Sequence, residues 1–363
     1  MDFSHEIYKQ KFDTETNTES IKKDVLAYGD VSVGTDVEVL WMSKVETYRG
    51  KSGFSFFNAD RLFIKNGLFG TDGRSLQGEW RITPAYDIAL LDKLTKNMME
   101  MCKTFLVIRQ DKDASVPVLY PYGMGVYNII SERDLRLPES IGLHIHLGNK
   151  NLVKEKNQKI LTAALDLLLL PVIKLFENKT AHHIRTNCGL YGTTSDFKNK
   201  PYGYEYKSLP SCIDDRHVYL ATFAIAKAIA FEVIAGTINL KTFENMFLDL
   251  NKIRNFSYLR RKARESKLIV KRNCRFYLPY KTMIDTLYDM AINTKYPHEF
   301  FDTQEDIFSS WGVDYDLESR GYRALCKGSI LMPQEAPVKG YSTVDYLGSP
   351  SRTEDSFEII TDW

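Results

Sequence analysis

Residues 31–41, with the sequence VSVGTDVEVLW, alternate apolar and polar side chains with the period of a β-strand. One face of this stretch carries Val31, Val33, Thr35, Val37, Val39 and Trp41. The other face carries Asp36 and Glu38. The pattern predicts a half-buried strand whose polar face presents two carboxylates two residues apart.

Three more short stretches place a polar pair on one face and apolar residues on the other. They are 78–83 with Glu79 and Arg81, 141–148 with His144 and His146, and 204–208 with Glu205 and Lys207. Side chains two residues apart on a strand share a face. If the four strands belong to one sheet, that face holds four carboxylates, two imidazoles, a guanidinium and an ammonium. Such a face is costly unless a metal ion or an anionic ligand compensates it.

The alternative for each pair is a solvated sheet face with ion pairs of little energetic value. The stretch GLHIHLG at 142–148 argues against it, because two imidazoles among apolar residues and glycines indicate that something binds them. Gly142 and Gly148 would lie on the histidine face and leave room for a ligand. Oxygen ligands with one or two imidazoles suit Mg²⁺ or Mn²⁺ better than a structural zinc ion.

The composition is that of a globular protein: 363 residues, 44% of them hydrophobic. The 48 basic and 47 acidic residues nearly cancel, so no overall field favours a nucleic acid or an anionic membrane. The beginning of the chain lacks the apolar region of a signal peptide, and the most apolar run, 161–176, is too short to span a bilayer. Five scattered cysteines without a C-x-x-C pair indicate a reducing compartment, and we expect a cytoplasmic location.

The segment 252–275 has ten basic residues and a single acid, Glu265. It could be a nucleic-acid interface. A solvated helix face that balances the acidic tail is the simpler interpretation. The segment could also line a nucleotide cleft or dock a macromolecular substrate.

Four motifs follow one another in the chain: GTDVE at 34–38, DG at 72–73 with EWRITP at 79–84, GLHIHLG at 142–148, and YGYEYKSLPS at 202–211. In order and spacing they resemble the amidoligases, the phage-type COOH-NH2 ligases. The catalytic domain of that family is similar to those of glutamine synthetase and glutamate–cysteine ligase. The resemblance covers about residues 30–290, and no phosphate loop of the G-x-x-x-x-G-K-[ST] kind is present.

The resemblance implies ATP- and Mg²⁺-dependent amide formation, in which a carboxylate becomes an acyl phosphate and an amine displaces the phosphate. The residues that it implies as metal ligands are Asp36, Glu38, Glu79, His144, His146 and Glu205. Contacts to the transferring phosphate or a substrate carboxylate would come from Arg81, Arg185 and Lys207, and contacts to ATP from His144, Arg185 and Lys207. The acid and the amine are not identified, and a homo-oligomer is possible because some relatives build active sites between subunits.

Two features limit the resemblance. Lys207 stands where the family usually has arginine, and a point charge is not equivalent to a bidentate fork. The loop 185–200 resembles the family's substrate loop but is equally compatible with an ordinary surface turn, and its Cys188 has no adjacent base in the sequence. A zinc hydrolase, with water activated by a His-x-His pair and carboxylates, is the rival enzyme class.

We therefore predict an α+β fold with a curved, largely antiparallel sheet of the glutamine synthetase type. Helices 87–107, 157–178 with a break near Pro171, and 218–247 divided near Gly236 would cover its back. Residues 1–25 would form a polar lead-in, 26–330 the catalytic domain, and 331–363 an acidic tail containing Pro, Gly and Ser.

Overall fold

The computed structural model describes residues 18–46, 52–63, 67–71, 76–125, 141–188, 193–243, 246–250, 252–253, 255–294 and 305–313. Its strands are β1 (Ser32–Glu46), β2 (Ser52–Phe56), β3 (Phe69–Thr71), β4 (Gln77–Ala85), β5 (Leu119–Tyr122), β6 (Gly142–Gly148), β7 (Phe197–Lys200) and β8 (Gly203–Pro210). Within the described ranges they form one eight-stranded antiparallel sheet in the order β3-β4-β1-β6-β8-β7, with β2 and β5 also paired to β1.

The α-helices in the same ranges are α1 (Thr18–Tyr28), α2 (Ile88–Lys112), α3 (Glu155–Leu168), α4 (Leu170–Ile173), α5 (Lys179–Cys188), α6 (Arg216–Ala235), α7 (Phe256–Asn273), α8 (Lys281–Asn293) and α9 (Ile307–Ser310). Short 3-10 helices cover Ala59–Arg61, Leu240–Phe243 and Arg275–Tyr280. The arrangement confirms the predicted α+β class and its antiparallel sheet.

Strand β1 organises the sheet, because it is 15 residues long and pairs with β2, β4, β5 and β6. Its side chains alternate as predicted, but the strand is buried on both faces rather than half-buried, since Asp36 alone among residues 31–43 is partly exposed. Val33, Val37 and Val39 are fully buried in the main hydrophobic core, where α2 and α6 pack against the strand. The opposite face of β1, which carries Asp36 and Glu38, is therefore free of these helices and open to build a site.

Helix α6 is the central helix of the core. The Asp215 side chain caps its start by accepting the Val218 N–H at 2.8 Å, and Gly236 ends it in the left-handed conformation with φ of 77°. The helix is long and apolar enough to cross a membrane, but nearly all of it is buried inside this fold, as expected of a core helix. The division predicted near Gly236 is confirmed. Of the part beyond it, the structure describes a 3-10 turn rather than a second α-helix.

Two proline positions behave differently from each other. The break predicted near Pro171 lies between α3 and α4, where the proline occupies the first turn of α4 and needs no N–H donor. Pro84 lies inside β4, which continues to Ala85. The register between β1 and β4 shifts at this point, and proline is tolerated at such a bulge because no ladder hydrogen bond is required of it.

The predicted division of the chain stays a prediction. Helix α1 occupies the last part of the proposed lead-in, 1–25, while residues 1–17 lie outside the described residues. The proposed tail, 331–363, and the loop Asp72–Gly73 lie outside them as well. The end of the predicted loop 185–200 forms strand β7, which extends the sheet beside β8.

Gly78 provides a test of core packing. A methyl group at this position would lie 2.2 Å from Nε1 of Trp41, which is buried between Phe63 and Trp80. We expect Gly78→Ala to lower the free energy of unfolding by about 1–3 kcal/mol, as overpacked cores do. Urea unfolding measures this loss. In a Trp41→Phe background the same substitution should cost clearly less, and an equal cost in both backgrounds would contradict the predicted clash.

Candidate functional site

The strand order β4-β1-β6-β8 places the four predicted polar pairs on neighbouring strands. The register sets Asp36 opposite Arg81 and His144, Glu38 opposite Glu79, and His146 opposite Glu205. The condition stated from the sequence, that the four strands belong to one sheet, is therefore met. Four carboxylates and two imidazoles converge on the face that α2 and α6 leave uncovered.

This face is not an ordinary solvated surface. Glu38 and Glu205 are each 2% exposed, and His144 is 4% exposed. Burying an ionised carboxylate is costly unless opposite charges or hydrogen bonds compensate it. The burial excludes the solvated-face interpretation for these side chains.

His144 lies between two of the carboxylates. Its Nε2 is 3.8 Å from Glu38 Oε1, and its Nδ1 is 3.6 Å from Glu205 Oε1. Burial lowers the pKa of His144 to about 3, although Glu205 acts in the opposite direction. The ring is therefore neutral at physiological pH and keeps one nitrogen lone pair, as a metal ligand requires.

His146 is held from two sides. Its Nε2 is 3.2 Å from Asp36 Oδ2, and its Nδ1 hydrogen-bonds to the Tyr202 hydroxyl. The Tyr202 ring also stacks on the imidazole, with 5.9 Å between ring centroids. Burial opposes ionisation of Asp36, but the neighbouring His146 and Arg81 hold the pKa of this carboxyl well below its ordinary value. Asp36 is therefore an ionised oxygen donor at the edge of the site.

Three of the predicted ligands form a compact group. One carboxylate oxygen of Asp36, one of Glu79 and one nitrogen of His144 all lie within 4.8 Å of one another. Two hard oxygen donors and one neutral imidazole are a fitting partial shell for Mg²⁺ or Mn²⁺. Glu38, His146 and Glu205 line the same face around this group, and their predicted role as ligands stays a prediction.

Cationic side chains flank the carboxylates on both sides. Arg81 pairs with Glu79 and donates from Nη1 to the Gly67 carbonyl oxygen at 2.5 Å. On the other side, Lys200 Nζ lies 2.8 Å from Glu205 Oε2. Burial raises the pKa of Glu205, but His146, His144 and Lys200 together bring it below its ordinary value. Lys200 and Tyr202 were not among the predicted site residues, because Lys200 lies in the predicted loop 185–200 and neither belongs to an alternating polar pair.

Lys207 lies at an irregularity of β8. The register between β6 and β8 shifts between Leu143 and Ile145, which leaves one extra residue of β8 opposite His144. Bulges of this kind re-aim side chains beside functional sites. Lys207 is buried there, and its positive charge contributes to the lowered pKa of His144. The structure thus places the lysine beside the carboxylate face, as predicted.

Arg185 is placed differently from its predicted role. Its Nη1 donates to the Ile141 carbonyl oxygen at 2.6 Å, and its Nη2 donates to the Leu209 carbonyl oxygen at 2.9 Å. Its Nε lies 3.3 Å from Glu177 Oε1, and the residue is 3% exposed. These contacts direct the guanidinium toward the protein's own backbone, which favours a positioning role over contact with phosphate or ATP.

The expectation for Gly142, at the start of the histidine strand, needs a similar correction. Gly142 was expected to leave room for a ligand. A methyl group there would lie 3.2 Å from Glu38 Oε2 and 3.6 Å from Arg185 Nη1. The space beside Gly142 is therefore occupied by the protein's own carboxylate and guanidinium.

The basic segment 252–275 is largely neutralised by ion pairs. The described residues pair Lys252 with Asp249, Arg261 and Lys262 with Glu265, Lys267 with Asp289, Lys271 with Asp285, and Arg275 with Asp24 and Glu232. Helix α7, which carries most of the segment, packs against α3, α4 and α8. This pairing favours the charge-balanced helix face over a nucleic-acid interface. The side chain of Cys188 lies outside the described residues, and Cys102, Cys212 and Cys274 are buried free thiols.

Comparison with protein families gives one match. Residues 136–313 match the family described as phage phiEco32-like COOH.NH2 ligase-type 2. The match contains β6, β8 and the helices that follow them, and it confirms the resemblance found in the motifs. No curated protein matches the chain.

The lowered pKa of His144 predicts how stability depends on pH. An unfolded histidine takes up a proton near its ordinary pKa of 6.5, whereas the folded protein resists protonation until about pH 3. The unfolded state then binds more protons between these values, so the metal-free protein should lose stability as the pH falls below 6.5.

Urea unfolding in the presence of a chelator, at pH values between about 7 and 5, measures this effect. Burial raises the pKa of Asp214 to about 6, so this carboxyl acts in the opposite direction in the same window, and only the difference between the native protein and a His144 variant isolates the histidine. We expect a shallower pH dependence for His144→Gln than for the native protein. Identical slopes would show that His144 is protonated normally in the folded state.

Proposed function

We propose that the protein is an ATP- and Mg²⁺-dependent carboxylate–amine ligase, because residues 136–313 match the family of type 2 COOH-NH2 ligases. The observation that carries the proposal is the convergence of Asp36, Glu79 and His144 within 4.8 Å on a buried sheet face lined by further carboxylates. Both substrates are unidentified. ATP chemistry and free buried thiols suit the cytoplasm, which would be the host's if a phage encodes the chain.

The charge of the face supports a cation in this position. Four carboxylates, from Asp36, Glu38, Glu79 and Glu205, meet three basic side chains, Arg81, Lys200 and Lys207, which leaves an excess of one negative charge. Because His144 is neutral, it does not offset the excess of negative charge. Mg²⁺ or Mn²⁺ held by Asp36, Glu79 and His144 would neutralise phosphate oxygens of bound ATP.

The reaction proceeds in two displacements. A substrate carboxylate oxygen attacks the γ-phosphorus of ATP, and ADP leaves as the acyl phosphate forms. The amine nitrogen of the second substrate then attacks the acyl carbon, the C–O bond to phosphate breaks, and the amine gives up a proton. The products are an amide, ADP and phosphate.

The chain's own cations fit the demands of the first displacement. Arg81 and Lys207 lie on opposite sides of the carboxylate face, where a positive charge can stabilise the transferring phosphoryl group or orient the acid. A lysine at position 207 suits a phosphate oxygen better than a planar carboxylate, because it is a single point charge. We therefore propose Lys207 as a phosphate contact.

Burial of the face serves the second displacement. An acyl phosphate is lost if water reaches it before the amine does, so a water-poor site protects the intermediate. Glu205 is ionised, pairs with Lys200 and faces His144, so its carboxylate is suited to orient the amine substrate.

The hydrolase alternative makes a different demand. A zinc hydrolase should act without ATP, whereas a ligase should release ADP and phosphate only when acid and amine are both supplied. The match to a COOH-NH2 ligase family favours the ligase. Purified protein screened with mixtures of amino acids and small peptides, with each component omitted in turn, distinguishes the two.

Two isosteric substitutions test the site. We expect Glu38→Gln and Glu205→Gln each to reduce ADP release at least about 100-fold, because each removes a negative charge from the proposed metal face while keeping the side chain's shape. The measurement is ADP release with saturating ATP and Mg²⁺. Glu265→Gln, on helix α7, is the matched control and should retain native activity. Full activity in both site variants would refute the assignment of the site.

Direct metal binding gives a prediction that does not depend on the substrates. Glu79→Gln should weaken Mn²⁺ binding about tenfold or more, because it converts an oxygen donor of the three-residue group to a neutral amide. Calorimetric titration of the native and variant proteins measures the affinity. Unchanged Mn²⁺ affinity, with the fold intact by circular dichroism, would place the ion elsewhere.

A further inference from the structure

We propose that Arg185, held by Glu177, is a positioning residue that fixes Glu38 in the site through the peptide group between Ile141 and Gly142. The inference rests on the proposed function for its catalytic meaning, but its structural content concerns this chain alone. It assigns Arg185 a role distinct from direct contact with phosphate or ATP.

One peptide group connects the arginine to the carboxylate. Its carbonyl oxygen, from Ile141, accepts a hydrogen bond from Arg185 Nη1 at 2.6 Å. Its N–H, from Gly142, donates to Glu38 Oε2. Because a peptide group is planar and rigid, fixing the direction of the carbonyl also fixes the direction of the N–H. Arg185 thereby determines where the Glu38 carboxylate is held.

A second contact reinforces the same geometry. The Ser211 hydroxyl donates to the Glu38 backbone carbonyl oxygen at 2.8 Å, and the Ser211 N–H lies 3.4 Å from the Ile141 carbonyl oxygen. Backbone and side chain of Glu38 are thus both tied to the region where β6 begins and β8 ends. A shift of either strand would move the carboxylate.

The guanidinium also joins these two strands. Its Nη2 donates to the carbonyl oxygens of Leu209 and Ser208, at 2.9 and 3.3 Å, while Nη1 binds the Ile141 carbonyl oxygen on β6's side. The carbonyls of Ser208 and Leu209 lie at the bulge of β8 and directly after it. A planar fork with several donors can bridge separate carbonyls, which an ammonium group on a flexible stem does less well.

Glu177 holds the guanidinium from behind. It is fully buried, with Oε1 3.3 Å from Arg185 Nε and Oε2 2.7 Å from His182 Nδ1. Burial raises the pKa of Glu177, but Lys174, His182 and Arg185 together lower it to about 2, so the carboxylate is ionised. Its charge fixes the guanidinium and compensates the positive charge behind the strand ends.

Gly142 completes the arrangement. The closest atom to a methyl group at this position would be Glu38 Oε2, at 3.2 Å, and Arg185 Nη1 would lie 3.6 Å away. A side chain at position 142 would compete with the carboxylate for this space. The missing side chain is what lets Glu38 reach the N–H of the peptide that Arg185 orients.

The experiment compares Mn²⁺ affinity, by calorimetric titration, in the native protein and in Arg185→Lys, Glu177→Gln and Gly142→Ala. We expect each substitution to weaken Mn²⁺ binding about 10-fold to 100-fold, as substitutions behind metal ligands do. Where turnover is measurable, kcat should fall while KM for ATP changes much less, because Arg185 does not contact ATP. A direct phosphate contact would instead raise KM for ATP.

Arg216→Lys is the matched control. Arg216 is an arginine whose Nε binds Asp92 at 2.7 Å, and it joins α6 to α2 on the opposite side of the sheet. This variant should lose thermal stability without a change in Mn²⁺ affinity. If Arg185→Lys does not fold, Glu177→Gln decides the question by the same measurement.

Native Mn²⁺ affinity in a folded Arg185→Lys or Glu177→Gln variant would overturn the positioning role. The two proposals fail separately. A native protein that binds Mn²⁺ but never consumes ATP would count against the ligase alone. Loss of Mn²⁺ affinity in the Arg185 and Glu177 variants would still support positioning.

Discussion

Four carboxylates share one buried sheet face, and keeping them ionised there is the constraint on which the rest of the site depends. Each carboxylate is stabilised by partners in its immediate surroundings. Asp36 lies beside His146 and Arg81, and Glu205 pairs with Lys200. Glu38 accepts a hydrogen bond from the backbone N–H of Gly142. Since these contacts do not cancel the charge of four carboxylates, the proposed cation would compensate the charge that remains. The proposal therefore links the stability of the fold to metal binding.

The strand register of the sheet determines where the site carboxylates lie relative to one another. Period-two alternation sends every other side chain of β1 toward the core, where α2 and α6 pack. On the opposite face, Asp36 and Glu38 enter the site, while Leu40 and Met42 join a second hydrophobic cluster. A one-residue slip of β1 would exchange Val37 with Asp36 and place charge in the core. The apolar face therefore protects the register of the polar face, so packing energy on one side maintains ligand geometry on the other.

Sequence patterns were sufficient for the parts of the site that lie on regular strands. Asp36, Glu38, His144 and His146 could be placed on one face because alternation fixes direction without knowledge of distant contacts. Arg185 could not be placed this way, because its partners are backbone carbonyls that only the folded strand ends bring together. Lys200 was missed since β7 is short and polar, with no alternation to mark it as a strand.

The two cations that the sequence treated alike, Arg185 and Lys207, differ in the geometry that each position requires. Position 185 must donate to carbonyls on two strands and face a buried carboxylate, which demands a planar fork. Position 207 lies at a bulge beside His144, where a single positive charge is enough to balance carboxylates or meet a phosphate oxygen. Lysine at 207 is then compatible with phosphate transfer, while arginine at 185 maintains the strand ends. The proposed division, in which Arg185 holds the site and Lys207 contacts the substrate, follows from hydrogen-bond geometry rather than from charge.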